Sequence, residues 1–262
     1  GNTGLAGTLD LFKLHGESTL PAEEVAGAAN TFALDLDSDG TPETAVELSR
    51  ILIKFDYDRL ESLKSKNLDV RSPKFKAFLT LKTISAGQFT PKNFTVDVMP
   101  LAQSFDEGIG RDVISFGDLD GCNFVTASFS GDTVNAWNTA GAGAIGTLGT
   151  PNLDAYNVAN FGNENENIVA SQTFKEGYED LRVDVTHLVS ASLTSQLTNH
   201  GFRVSFKASE ESDTKTRFVK RFASRHSKNP YLRPQLHVVY DDTISDNTQN
   251  SVFDYQNTLF FQ

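Results

Sequence analysis

The stretch Asp35-Leu36-Asp37-Ser38-Asp39-Gly40-Thr41-Pro42-Glu43 has the residue types to hold a hard cation. Carboxylates at alternate positions, Asp35, Asp37 and Asp39, with Glu43 at the ninth place, let several oxygens converge on Ca²⁺ while Gly40 takes the tight turn. An EF-hand requires Glu at the twelfth place, where this chain has Val46, so the pattern is that of a non-EF calcium loop. Asp-Gly between two strands is also an ordinary hairpin signal, and an acidic turn is the competing reading. Ca²⁺ is the one cofactor these residues suggest.

Other reactive side chains lack the spacing that catalysis needs. Asp106 and Glu107 are adjacent, so on extended chain they point to opposite faces and cannot form a facing acid/base pair. His15, His187, His200, His226 and His237 show no metal-ligand spacing, such as two His four apart on a helix. His187 lies near Asp184 but would need a nucleophile brought in by the fold; a polar residue at a strand end is the simpler reading. No Gly-x-Ser-x-Gly elbow and no phosphate-binding Gly loop with Lys is present. Cys122 is the only cysteine, which forbids an intrachain disulfide, and it reads as a half-buried thiol in a loop. The expectation is a protein that is not an enzyme.

The elements that must carry these residues are short strands separated by turn chemistry. Thr8 to His15 alternates Leu9, Leu11 and Lys13 against Asp10, Phe12 and Leu14, the period of a strand. Leu48 to Tyr57 places Ile51, Ile53 and Phe55 on one face, and Phe75 to Ile84 and Asn93 to Leu101 read as further strands. Asp58 to Lys66, with Leu60 and Leu63 three apart after an Asp able to cap, suits a short helix. Asp184 to Leu197 reads as a strand running into a helix, stopped at Asn199-His200-Gly201. Phe202 to Lys207, Phe218 to Ala223 and Leu236 to Tyr240 complete the set, with Arg233-Pro234 able only to open the last strand. Between Asp106 and Tyr178 the chain turns rich in Gly, Asn, Ala and Asp, and holds candidate strands at Phe124 to Phe129 and Asn167 to Phe174. Loop-rich segments of such length usually carry function, and this one is expected to be an insertion at one end of a sandwich.

Composition agrees with a β-rich domain. At 262 residues, 39% hydrophobic and 22% charged, the chain can bury a full core within one domain. No apolar run approaches the roughly 18 residues of a membrane span. A formal net charge of -11 repels phosphate backbones, which disfavours nucleic acid as a partner. One local exception is the span holding Lys215, Arg217, Lys220, Arg221, Arg225, Lys228 and Arg233. It reads either as a basic strip for an acidic glycan or subunit, or as a solvated edge whose charges discourage sheet-to-sheet aggregation.

Phe222-Ala223-Ser224-Arg225-His226, a turn through Lys228, Asn229 and Pro230, and Arg233-Pro234-Gln235-Leu236-His237-Val238-Val239-Tyr240 form the best-marked pair. This segment resembles the closing motif of the DNRLRE family, a Phe-x-Ser-Arg-Glu strand, a turn and a Pro-x-Leu-x-Val-x-Tyr strand, with His226 in place of Glu. Ser49-Arg50-Ile51-Leu52-Ile53-Lys54-Phe55-Asp56, Lys76-Ala77-Phe78-Leu79-Thr80-Leu81 and Ser104-Phe105-Asp106-Glu107-Gly108 are similar to its earlier motifs, the last with Phe for Trp. Leu181-Arg182-Val183-Asp184-Val185-Thr186 and Gly201-Phe202-Arg203-Val204 follow in order. The resemblance runs from about Leu9 to Asp242 with a gap in the middle. It implies a jelly-roll-like β-sandwich of the kind found in microbial surface proteins, polysaccharide-binding modules and structural proteins of tailed phages, and it implies no single activity.

The expected architecture is therefore all-β: a jelly-roll-like antiparallel β-sandwich over residues 1–242 with one or two short helices and an insertion at about 106–178. Residues 243–262 read as a polar linker and an apolar tail, either an assembly arm or the start of a further domain. The expected function is a structural subunit of a particle, a tailed-phage virion component of neck, tail or fibre, whose partners are copies of itself and other particle proteins. Its partner-facing residues are expected to be Trp137, Tyr156 and Tyr178 in or beside the insertion and Phe253, Tyr255, Phe260 and Phe261 in the tail. The alternative is a secreted or cell-surface module binding a glycan. Sugar platforms favour Trp and Tyr, whereas this chain has 20 Phe against one Trp and six Tyr, a balance suited to core packing.

Overall fold

A computed structural model describes residues 4–15, 46–66, 68–87, 90–110, 121–158 and 170–241. Its strands are β1 (Thr8–His15), β2 (Val46–Leu48), β3 (Ile51–Ile53), β4 (Lys76–Leu81), β5 (Phe94–Pro100), β6 (Thr126–Ser130), β7 (Thr133–Ala136), β8 (Ile145–Thr147), β9 (Ala155–Val158), β10 (Ala170–Phe174), β11 (Leu181–Asp184), β12 (Phe202–Phe206), β13 (Arg217–Ala223) and β14 (Gln235–Val239). Three short helices join them: α1 (Asp58–Lys64), α2 (Thr186–Leu193) and α3 (Ala208–Glu211). The fold is all-β and sandwich-like, as the strand pattern predicts, with three short helices where one or two are expected.

Alternation decides which face of each strand is buried. In β4, Ala77, Leu79 and Leu81 turn inward; in β11, Leu181 and Val183 do the same. Strand β4 pairs antiparallel with β11 on one side and β14 on the other. Past Leu81 its chain takes up β13: Thr83 bridges Phe222, and the amides of Ala223 and Ile84 donate to the carbonyls of Lys82 and Arg221 at 2.9 and 3.1 Å. The two closing segments thus run in line along one strand, and the turn at residues 224–234 bulges between them. Strand β13 in turn pairs with β1, and β1 with β2.

The second sheet has the order β10-β5-β12-β3, all antiparallel. Its inner face is aromatic. Phe94 stacks on Phe174 at 4.9 Å and 6°, and Phe206 meets Phe94 edge-on at 5.4 Å. Phe222, from the first sheet, reaches Phe174 at 6.5 Å. These rings belong to one continuous core with Leu11, Val96, Val98, Leu79, Leu181 and Val204. Burying a side chain of this size contributes about 1.5–3 kcal/mol.

The predicted strand Leu48 to Tyr57 is two strands in two sheets. Ser49 is the reason. Its amide still donates to the carbonyl of Phe12 at 3.0 Å, while its hydroxyl accepts from the amide of Phe12 and donates to the carbonyl of Asp10, both at 2.8 Å, and so closes the contact with β1. The chain is then free to leave β2 in the first sheet and enter β3 in the second. Phe55 lies beyond β3 and is only half-buried. The predicted stop at Gly201 has φ +94, and a Cβ there would lie 2.5 Å from the carbonyl oxygen of Ile53.

Candidate functional site

Residues 121–158 form a lobe around a second, small core that the lobe shares with Leu52, Leu101 and Phe105 of the sandwich. Leu101, Ala127, Trp137 and Ala142 are buried together, with Leu52, Phe105 and Cys122 packed against them. Trp137 is 6% exposed and its indole N–H donates to the carbonyl of Asn123 at 3.0 Å. The Asn123 side-chain oxygen accepts from the amides of Val125 and Thr126 at 2.7 and 2.8 Å, which sets the entry into β6. Strands β6 and β7 are joined by the two-residue turn Gly131-Asp132, and β8 and β9 form a short parallel pair.

Asp154 is the polar centre of the lobe. Its fully buried carboxylate accepts at Oδ1 from Gln103 Nε2 (2.7 Å), the amide of Asn138 (2.8 Å) and Asn138 Nδ2 (3.1 Å). At Oδ2 it accepts from the amides of Thr139 and Ala144 at 3.0 and 2.8 Å. Burial alone pushes such a carboxyl up, but the donors on Ala144, Thr139 and Asn138 outweigh it and hold the group below its ordinary range. An anion is built into the structure as a hub for four chain segments.

A second set of charges fastens the lobe to the sandwich. Arg50, on the link between β2 and β3, donates to both Glu211 oxygens at 3.1 and 2.7 Å and to the carbonyl of Gly141 at 2.6 Å. Glu211 also pairs with the buried Arg203 of β12 at 3.3 Å. Burial pulls the Arg203 guanidinium down to about 10, with Arg50 adding to the effect. Gly141 has φ +71, and a Cβ there would sit 2.6 Å from both Arg50 Nη1 and the Phe124 ring. Only glycine fits under that clasp.

Outward, the lobe is almost uncharged: exposed Ser, Thr and Asn outnumber the exposed apolar residues, but three of the latter are large. Phe124, Val125 and Val134 are 45%, 64% and 55% exposed, and all four residues of β7 are exposed. Within residues 121–158 the charged side chains are Asp132 and the buried Asp154; there is no Lys or Arg. On a chain of net charge -11 this neutrality is a local exception.

The expected partner-facing residues that are described, Trp137, Tyr156 and Tyr178, differ in exposure. Trp137 belongs to the lobe's core, because its flat ring is what Leu101 and Ala127 pack against, so its expected role at a partner surface is corrected. Tyr156 is half-buried against the main core, and Tyr178 is 72% exposed. Asp35, Asp37, Asp39 and Glu43 of the candidate calcium loop, and Phe253, Tyr255, Phe260 and Phe261 of the tail, lie outside the described residues. Among the described residues no group of three or more His, Cys, Asp or Glu is placed to hold a metal, and no helix is long and apolar enough to cross a membrane.

The basic span is not a strip. Lys220 is fully buried, donating to Thr83 Oγ1 (2.6 Å) and to the carbonyls of Gly177 and Glu179 (both 2.7 Å), with its ammonium over the rings of Phe174 and Phe222. Burial brings it down to about 8. Arg217 is buried against Asp213, and Arg221 pairs with Asp10. Arg225 binds Glu107 at 2.9 Å, while Asp106 accepts from the amide of Phe129 at 2.6 Å, so the adjacent acids separate as expected. Asp184 accepts from the amide of Thr186 and opens α2. Cys122 is half-buried in a loop, its thiol pushed up to about 11 by burial.

Sequence reasoning missed the roles of Asp154, Arg50 and Glu211. The signal available was the emptiness of residues 121–158 in charge, which makes a single internal Asp conspicuous. No family model matches the sequence, and no curated protein or solved structure is significantly similar to it.

Proposed function

We propose that the chain is a non-enzymatic assembly subunit of an extracellular particle, and that the uncharged lobe at residues 121–158 makes its contacts with other copies. The observation that carries this is the coincidence, on one lobe, of exposed Phe124, Val125 and Val134 with a near absence of charge. Two copies of net charge -11 repel, and the Coulomb cost of contact is least where neither surface carries charge. The side chains best able to do chemistry are meanwhile engaged in holding the fold: Lys220 by three acceptors, Asp154 by five donors, Glu211 by two arginines. The resemblance of the strand motifs to the DNRLRE family is the ground for placing the particle among tailed-phage virions, in neck, tail or fibre.

Light scattering over a concentration and salt series tests this reading. Mass should rise with concentration, and more readily at high salt, because ions screen the repulsion between acidic bodies. Val125→Glu adds charge to an exposed position and should return the chain to monomer with its melting temperature unchanged. A chain that stays monomeric throughout, or associates indifferently to Val125→Glu, overturns the reading.

A further inference from the structure

Strand β7 pairs with β6, and among the described residues no strand pairs with its other edge. The amide of Trp137 turns toward β6, donating to the carbonyl of Val125 at 2.9 Å. Alternation along an antiparallel ladder then turns the N–H and C=O groups of Val134 and Ala136 away from β6, onto the free edge. Natural edge strands are usually blunted by Lys, Pro or an inward-pointing charge. Thr133-Val134-Asn135-Ala136 has none of these; its protection is limited to its four-residue length and the bulge at Thr126 to Ser128 in β6.

Resting on the assembly reading above, we infer that β7 pairs antiparallel with β7 of a second copy, joining two ribbons into one four-stranded sheet about a two-fold axis at Asn135. This register sets Val134 opposite Ala136 of the second copy twice over, so that every outward group of both residues is bonded. An axis at Val134 would bond that residue alone and push Ala136 against the turn. The occupant is a second copy because the edge is complementary to itself in backbone hydrogen bonding and carries no charge that would repel its own copy. In this register the two Asp132 carboxylates lie six residue steps apart along the strands, about 20 Å, which exceeds the screening length of roughly 8–10 Å at ordinary salt. A charged partner would find nothing on this edge to pair with. The two Asn135 side chains meet at a non-hydrogen-bonded position, where Cα atoms approach to about 4.5 Å, within the roughly 4.4–6.8 Å that a disulfide spans.

Cross-linking in the full chain tests the register. In a Cys122→Ser background, Asn135→Cys is compared with Thr150→Cys, an exposed position of the same lobe, under oxidised glutathione on a non-reducing gel. Asn135→Cys should give a covalent dimer at least ~10-fold faster than Thr150→Cys. Val134→Pro removes an outward amide, and Val134→Lys adds a charge while leaving the backbone intact; both should abolish association, and the Lys variant should melt as the parent does. If the chain associates and Val125→Glu weakens it, yet Asn135→Cys cross-links no faster than Thr150→Cys, the edge pairing is wrong and the assembly reading stands. If the chain associates at no concentration, both fall.

Discussion

Replacing Asp154 by Ala should unfold the lobe before the sandwich. The substitution leaves the amides of Asn138, Thr139 and Ala144 without an acceptor in a buried site, at about 1–3 kcal/mol each before water enters. Entry of water reduces that total, so the expected loss is about 3–5 kcal/mol, carried by residues 121–158. Asp154→Asn keeps the shape but turns an NH₂ group toward amide donors, and should cost nearly as much. The carboxyl is held below its ordinary range in the folded chain, so its stabilisation is complete above the unfolded value of about 3.9 and fades as pH falls through the lower folded value. The gap between parent and Asp154→Ala should therefore be constant near neutrality and close only below about pH 4. Denaturant titration with hydrogen exchange at residues 137–147 provides the readout. A loss under 1 kcal/mol, with those amides as protected as in the parent, would refute the hub.

Phe94→Ala removes a fully buried ring stacked on Phe174 and should cost about 3–5 kcal/mol in a denaturant titration; Phe55→Ala, at a half-buried position, should cost clearly less. Glu211→Ala leaves the buried Arg203 without its carboxylate and should cost about 3–5 kcal/mol by the same titration. Lys220 is depressed to about 8 against an unfolded value near 10.4, so the unfolded chain binds the extra proton and stability should rise by about 3 kcal/mol between those pH values. Lys220→Met should lack that rise, and parallel pH slopes for the two proteins would contradict the burial account.

The strand pattern was legible wherever one residue in two is apolar and buried. Lys76–Leu81 and Phe202–Phe206 could be read directly because their neighbours in the sheet are other strands. Leu48 to Tyr57 misled because apolar periodicity does not show that the amide and hydroxyl of one residue, Ser49, close the pairing to β1. Lys220 misled for a related reason. Its charge reads as surface, but the loop at Gly177 and Glu179 supplies carbonyl acceptors from 41 to 43 residues away. In the lobe the expected aromatic signpost was the wrong one. Trp137 is large enough to serve as the whole centre of a small core, and the exposed positions fall instead to Phe124, Val125 and Val134.

Hydrogen exchange of the whole chain at low and high protein concentration tests the assembly account most directly. The amides of Val134 and Ala136 should exchange freely in dilute solution and become protected as mass rises, with the sandwich amides unchanged. Mass that rises while those two amides stay open would place the contact elsewhere on the molecule and contradict the pairing of β7 edges, the account's specific claim.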